Sequence, residues 1–327
     1  MTSASNILAN PIITGVGIRK SWLNIEETEG NYNWTSLENQ LAEAALFPDK
    51  KVIFRVVAGG KNTPSWLISR VPIFSFIDDN PYHYSTYGQT VNVPVFWDPL
   101  FLEKKKALTM EAGKKFASHP SIAIIGVSCA NTNSDDWNMR GKTKEEKDQW
   151  LALGYTAEKL INACKELIDA TMTAFPTKLV TMGMAHVPMD SNSKGIDYVP
   201  NQVVNYALTT YPERFIVQKN GLSASTPDPI STSELDRWQI IYDNKPRVGG
   251  QMMWNVTSDS TCRMNNRIAP CDIKKVLKDS ITIGAHYGMQ YQEIYTADIL
   301  NPDLADIISY AVDILIVPSA PTGLVVQ

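Results

Sequence analysis

The sequence has no stretch of about 18 uninterrupted apolar residues, so no membrane-inserting helix is expected. Charge of one sign is never concentrated: 30 Lys+Arg stand against 34 Asp+Glu, a formal net charge of −4. Such a balance offers neither nucleic acid nor an anionic membrane surface a field to bind. Histidine is scarce, at 4, and the 4 cysteines, Cys129, Cys164, Cys262 and Cys271, show no zinc-site spacing. No metal and no cofactor is therefore expected. No Gly-x-Gly-x-x-Gly or Walker A sequence follows an early strand, and no Gly-x-Ser-x-Gly elbow occurs. The opening Met1-Thr-Ser-Ala-Ser-Asn lacks the basic and apolar regions of a secretory signal, which does not by itself assign a cytoplasmic home.

What is present is a chain of 327 residues, 44% hydrophobic, with ample apolar mass for a large core. Short β-rich runs alternate with amphipathic helical runs. Strands are expected at 12–21, 52–58, 122–129, 179–184, 215–219, 250–254 and 291–295. Helices are expected at 36–46, 102–118, 156–175, 202–210, 234–242, 273–286 and 304–314. Several strands are continuous apolar runs, as parallel strands covered by helices should be. Repeated βα units of this number favour an α/β fold of the (β/α)8 TIM-barrel kind, a single domain over residues 1–317. An eighth strand must then come from around Ile7-Leu8 or from 93–96. The tail 318–327 reads as a linker, or as the start of a truncated module that resembles fibronectin type III. That resemblance implies appended extracellular modules and an extracellular or cell-surface location.

In such barrels function gathers where strands end. Those positions carry Trp22, Trp66, Trp97, Asn131, Asn133, Trp137, Gln218, Asn220, Trp254, Asn255 and Tyr295. Aromatic planes stack on the C–H faces of sugar rings, and amides pair with hydroxyls, so the set points to a carbohydrate substrate. Each Trp has the plainer reading of a core cap. Glycoside hydrolysis needs two carboxyl groups flanking the scissile bond. Glu293, in a β-rich segment, is the first candidate, and its plainer role is as a partner of Arg19 or Arg55. Asp135 or Asp136 supplies the other carboxyl, or else the pair caps a helix. His186, after the strand at 179–184, is placed to line a cleft. Cys262 and Cys271 flank a polar loop and either form a local disulfide or remain two thiols. Cys129 and Cys164 read as small buried residues.

The run Gly15-Val-Gly-Ile-Arg-Lys-Ser-Trp-Leu-Asn-Ile-Glu-Glu-Thr-Glu-Gly-Asn-Tyr-Asn-Trp resembles the opening of barrel-type glycoside hydrolases of the β-galactosidase and cellulase clan. Lys51-Val-Ile-Phe-Arg, Thr63-Pro-Ser-Trp-Leu, Trp97-Asp-Pro and His119-Pro-Ser-Ile-Ala-Ile-Ile-Gly continue the likeness over about the first 140 residues. The resemblance implies a retaining glycosidase, with Glu293 as nucleophile and Asp135 or Asp136 as acid/base. The alternative is a non-catalytic glycan-binding barrel within a larger extracellular protein. Two departures stand out. The clan's acid/base is a Glu in Asn-Glu at the end of the fourth strand, whereas the loop here reads Asn131-Thr-Asn-Ser-Asp-Asp-Trp. Counting 122–129 as the fourth strand also places Glu293 on the eighth rather than the seventh, which leaves Asp259 near the seventh.

Overall fold

Branched apolar runs flanked by capped helices build this chain. Asp98 accepts the Phe101 amide at 3.0 Å and precedes Pro99, starting the helix Pro99–Phe116. Thr156 caps Ala157–Ala174, and Asp272 caps Ile273–His286. A short polar acceptor just before a helix satisfies amides that have no partner within it. The computed structural model describes residues 3–83, 85–132, 137–190, 193–315 and 323–326.

Ten strands are present among the described residues. They are β1 (Gly15–Ser21), β2 (Lys51–Val57), β3 (Ile73–Ile77), β4 (Thr90–Pro94), β5 (Ile122–Val127), β6 (Leu179–Gly183), β7 (Phe215–Leu222), β8 (Val248–Met252), β9 (Met289–Ile294) and β10 (Gly323–Val326). Eight of them close a barrel in the order β1-β10-β9-β8-β7-β6-β5-β2, every pairing parallel. The expected (β/α)8 fold is the fold observed, with all seven expected strands in it.

The eighth strand is not where it was expected. Ile7 and Leu8 lie in the helix Ser3–Leu8, and Val93 belongs to an antiparallel hairpin of β3 and β4 outside the barrel. The closing strand is β10, inserted between β9 and β1. Residues 323–326 are thus part of the barrel, not of a linker or a following module. With β3 and β4 outside, β5 is the third barrel strand and β9 the seventh.

Side chains fill the barrel in layers. A lower apolar layer joins Ile53, Ile124, Ile216 and Tyr291. Gly249 leaves space for the Tyr291 ring, and Gly126 leaves space for the Arg55 side chain; a Cβ at either glycine would overlap its neighbour. Outside the barrel, Lys105 donates to the Ser128 carbonyl at 2.5 Å and to its hydroxyl at 3.0 Å, holding the chain just past β5. Cys129 is then bonded to Cys164 on the helix Ala157–Ala174, with Cα atoms 5.3 Å apart. Both are buried, as expected of them, but the bond between them was not foreseen. Cys262 and Cys271 are also joined.

Denaturation without reductant is expected to release no free thiol. Closing loops of 35 and 9 residues contributes about 2–4 kcal/mol each, so reduction should lower the melting temperature visibly. Thiols that react before reduction would reject the pairing. Burial also lowers the Lys105 ammonium to about 7, whereas the unfolded chain's amine titrates near 10.4. Between those values the unfolded chain binds the extra proton, so this group makes stability rise with pH from about 7 to about 10. The difference in unfolding free energy between Lys105→Met and its parent should trace that rise, and a flat difference would refute the burial cost.

Candidate functional site

Parallel strands in a barrel aim their C-terminal ends at one mouth, and side chains alternate between interior and helix layer. Arg19, Arg55, Gln218, Tyr291 and Glu293 meet in the interior below that mouth. Arg55 grips Glu293 with both nitrogens, Nη1 to Oε2 at 3.0 Å and Nη2 to Oε1 at 2.5 Å. Arg19 Nη2 adds a bond to Oε2 at 3.3 Å, and Gln218 Nε2 donates to Oε1 at 3.1 Å. Tyr291 OH donates to Gln218 Oε1 at 2.6 Å, and Thr181 Oγ1 lies 2.9 Å from that hydroxyl. Burial raises the Tyr291 phenol above its ordinary value, so it stays a donor. Glu293 has zero solvent exposure. Both plainer partners named for it, Arg19 and Arg55, are bonded to it.

Gln218 links this network upward, donating to Asn220 Oδ1 at 2.6 Å. Asn220 lines a cleft of about 270 Å³ at the mouth, with Trp137, Asn138, Gln251, Arg263 and Tyr295 among its walls. Gln251 was not foreseen. Its signal was its place on the strand β8, two residues beyond Gly249, in register with both Asn220 and Glu293.

The other proposed sugar contacts divide. Trp137 and Tyr295 line the cleft, and Trp254 packs beside it, 5.9 Å from Tyr295. Trp22 follows β1 at the same rim but is fully buried, its indole N–H donating to Glu26 Oε2 at 2.7 Å. Trp66 donates to the Glu26 carbonyl at 3.0 Å and packs edge-on against Trp22. Trp97 packs on Trp150 and Tyr155. These three pack against the loops around the rim and are not among the residues that line the cleft. Asn131 is buried beside Gly59, and Asn255 accepts the Ser258 amide at 2.9 Å to fix a turn. Asn133, Asp135 and Asp136 lie outside the described residues. Asp259 is occupied below the loop at 263, accepting the Met264 amide at 2.8 Å. The fourth barrel strand, β6, runs into Met184-Ala185-His186 with no carboxylate, and burial lowers the half-buried His186 imidazole below its ordinary value.

Among the described residues no group of three or more His, Cys, Asp and Glu is placed to hold a metal. No described helix is long and apolar enough to cross a membrane.

No family model and no curated protein matches this sequence. Solved structures do resemble it. A β-galactosidase from Rahnella sp. R3 superposes with TM-score 0.57 at 12% identity, over 96% of this chain and 53% of that one. This chain thus spans about half the length of that enzyme. The endoglycoceramidase II of a Rhodococcus species (TM-score 0.48, 11% identity, 100% and 68% covered) and the catalytic domain of a Paenibacillus polymyxa β-amylase (0.46, 13%, 99% and 87%) are more distant. The likeness is one of fold: this chain has an α/β barrel similar to that of the Rahnella enzyme.

Removing one partner of a buried ion pair leaves an uncompensated charge and costs about 3–5 kcal/mol. Glu293→Gln should therefore destabilise the protein by that amount in urea titrations. The double variant Arg55→Met, Glu293→Leu should lose much less. Single variants that lose under about 1 kcal/mol would show that the pair is not sealed.

Proposed function

We propose that this protein is a glycosidase that takes a saccharide into the cleft at the barrel mouth. The observation that carries the reading is the position of Glu293, on the seventh barrel strand and one residue from its C-terminal end, below that cleft. The seventh strand is where the clan resemblance puts the nucleophile, and strand ends are where barrel enzymes place their chemistry. In the retaining scheme a Glu293 oxygen attacks the anomeric carbon while Arg55 holds the carboxylate in place. Asp135 or Asp136, on the loop after the third strand, protonates the departing oxygen and then deprotonates the incoming water. The fourth strand offers no carboxylate for that second role, which is why it falls to this loop. Two disulfides favour a secreted or cell-surface setting as part of the same proposal.

A second reading, a barrel that binds glycan without cleaving it, is favoured by the environment of Glu293. Four hydrogen bonds occupy a carboxylate with no exposure, and attack requires a substrate that displaces at least one of its present partners.

A hydrolysis screen across plant, algal and microbial polysaccharides decides between the two. The glycosidase reading expects turnover by the parent and loss by orders of magnitude when Asp135 and Asp136 both become Asn, with melting temperature unchanged. Tyr295→Ala should weaken saccharide binding by about 1–3 kcal/mol if a sugar face packs there. A parent that binds glycan yet cleaves nothing supports the second reading. A parent that does neither removes both.

A further inference from the structure

Arg263 is among the residues that line the cleft, and none of the other described lining residues is a carboxylate. Lys219, on the same wall, sets its ammonium over the Trp238 ring, 5.3 Å from the centroid, which leaves Arg263 as the cation to consider. Its guanidinium lies 4.4 Å from the Tyr82 ring centroid and 5.3 Å from that of Trp254, and those two rings lie 5.9 Å apart. Stacking of this kind uses the planar faces of the guanidinium and leaves its N–H edge for a ligand. No described carboxylate pairs with Arg263.

The loop that carries Arg263 is fixed before any ligand arrives. Asp259 accepts the Met264 amide, and the Met264 carbonyl accepts the Ala224 amide at 3.0 Å. The Cys262–Cys271 bond closes the same loop. A side chain on so constrained a backbone loses little freedom when it binds, and such preorganisation raises affinity.

A second observation points the same way. Trp137 Nε1 and Gln251 Oε1 are buried polar atoms with no hydrogen-bond partner, on residues only 3% and 7% exposed, and both residues line this cleft. Buried groups without partners cost free energy unless something answers them. An indole N–H is a donor only, so it needs an acceptor.

We propose that the cleft selects acidic saccharides, with Arg263 pairing with the carboxylate of a uronic acid or with a sulfate ester while Trp137 and Gln251 hydrogen-bond the same ring. This rests on the saccharide reading of the cleft and adds the class of sugar. A guanidinium edge matches a carboxylate through two parallel hydrogen bonds, and sulfate presents a similar pair of oxygens.

The test is calorimetric titration with matched pairs of probes. Oligogalacturonates are compared with their methyl esters, and κ-carrageenan oligosaccharides with their desulfated counterparts. The acidic member of at least one pair should bind about tenfold tighter or more, the size expected of hydrogen bonds to a charged group. That margin should shrink as salt is raised. Which pair shows it separates uronate from sulfate. Arg263→Gln should abolish the margin between the acidic and neutral members of the pair, and Arg263→Lys should restore part of it. If Arg263→Gln fails to fold, the probe pairs and the salt series on the unaltered protein still decide. Equal binding of acidic and neutral members overturns the inference and leaves the saccharide reading standing. A margin that survives in Arg263→Gln overturns the role of Arg263. Binding of no probe at all overturns both.

Discussion

The bidentate pair of Arg55 and Glu293 is the interaction around which the barrel interior is arranged. Its two partners stand on the second and seventh barrel strands, and Arg19 and Gln218 bring in the first and fifth. A barrel of this kind is more often filled with layers of branched apolar side chains. Here an apolar layer of Ile53, Ile124, Ile216 and Tyr291 forms one part of the interior and the ionic layer another. Taking both charges from water is costly, and an apolar layer would often serve stability as well or better. What the ion pair adds is direction, because a guanidinium fork meets a carboxylate in one geometry only. Gly126 follows from this: only a residue without a side chain lets Arg55 pass across its strand.

That arrangement explains which parts of the molecule were legible in the sequence. Seven strands were readable because parallel strands under helices are apolar runs, and Phe215-Ile-Val or Lys51-Val-Ile-Phe needs no tertiary knowledge to recognise. The eighth was not. Gly323–Val326 is four residues long and follows Pro318-Ser-Ala-Pro, a composition that also suits a linker. Residues 93–96 carry a strand pattern, and Val93 and Pro94 indeed end a strand, but one paired in a hairpin. Period alone does not tell a barrel strand from a hairpin strand. The error of one in the strand count then moved Glu293 off the seventh strand, an error that only the pairing corrected.

The tryptophans show the same limit at the level of side chains. Trp22, Trp66 and Trp137 all follow strand ends, and an indole on a rim can stack on a sugar or cap the core. Glu26 takes the Trp22 N–H with its side chain and the Trp66 N–H with its carbonyl, so both indole donors are satisfied within the protein. Trp137 received no such partner and faces the cleft. Only the Trp22 partner is local, four residues on. The deciding atoms lie up to 40 residues away along the chain.

The ionic layer and the cleft are one hydrogen-bonded system, and the order of its members constrains what can happen in the mouth. Glu293 accepts from Gln218, Gln218 donates in turn to Asn220, and Asn220 lines the cleft. Gln218 spends one acceptor oxygen on Arg55 and on Tyr291 and both amide hydrogens on Glu293 and Asn220. It has no donor left to offer a ligand without breaking a bond already made. An occupant of the cleft therefore meets Asn220, Gln251, Trp137 and Arg263 first, all of them outside the ionic layer. Glu293 lies behind that wall, its oxygens already accepting from Arg55, Arg19 and Gln218. The same network that fixes the carboxylate at the strand end thus ties the ionic layer to the cleft through a single side-chain amide, that of Gln218.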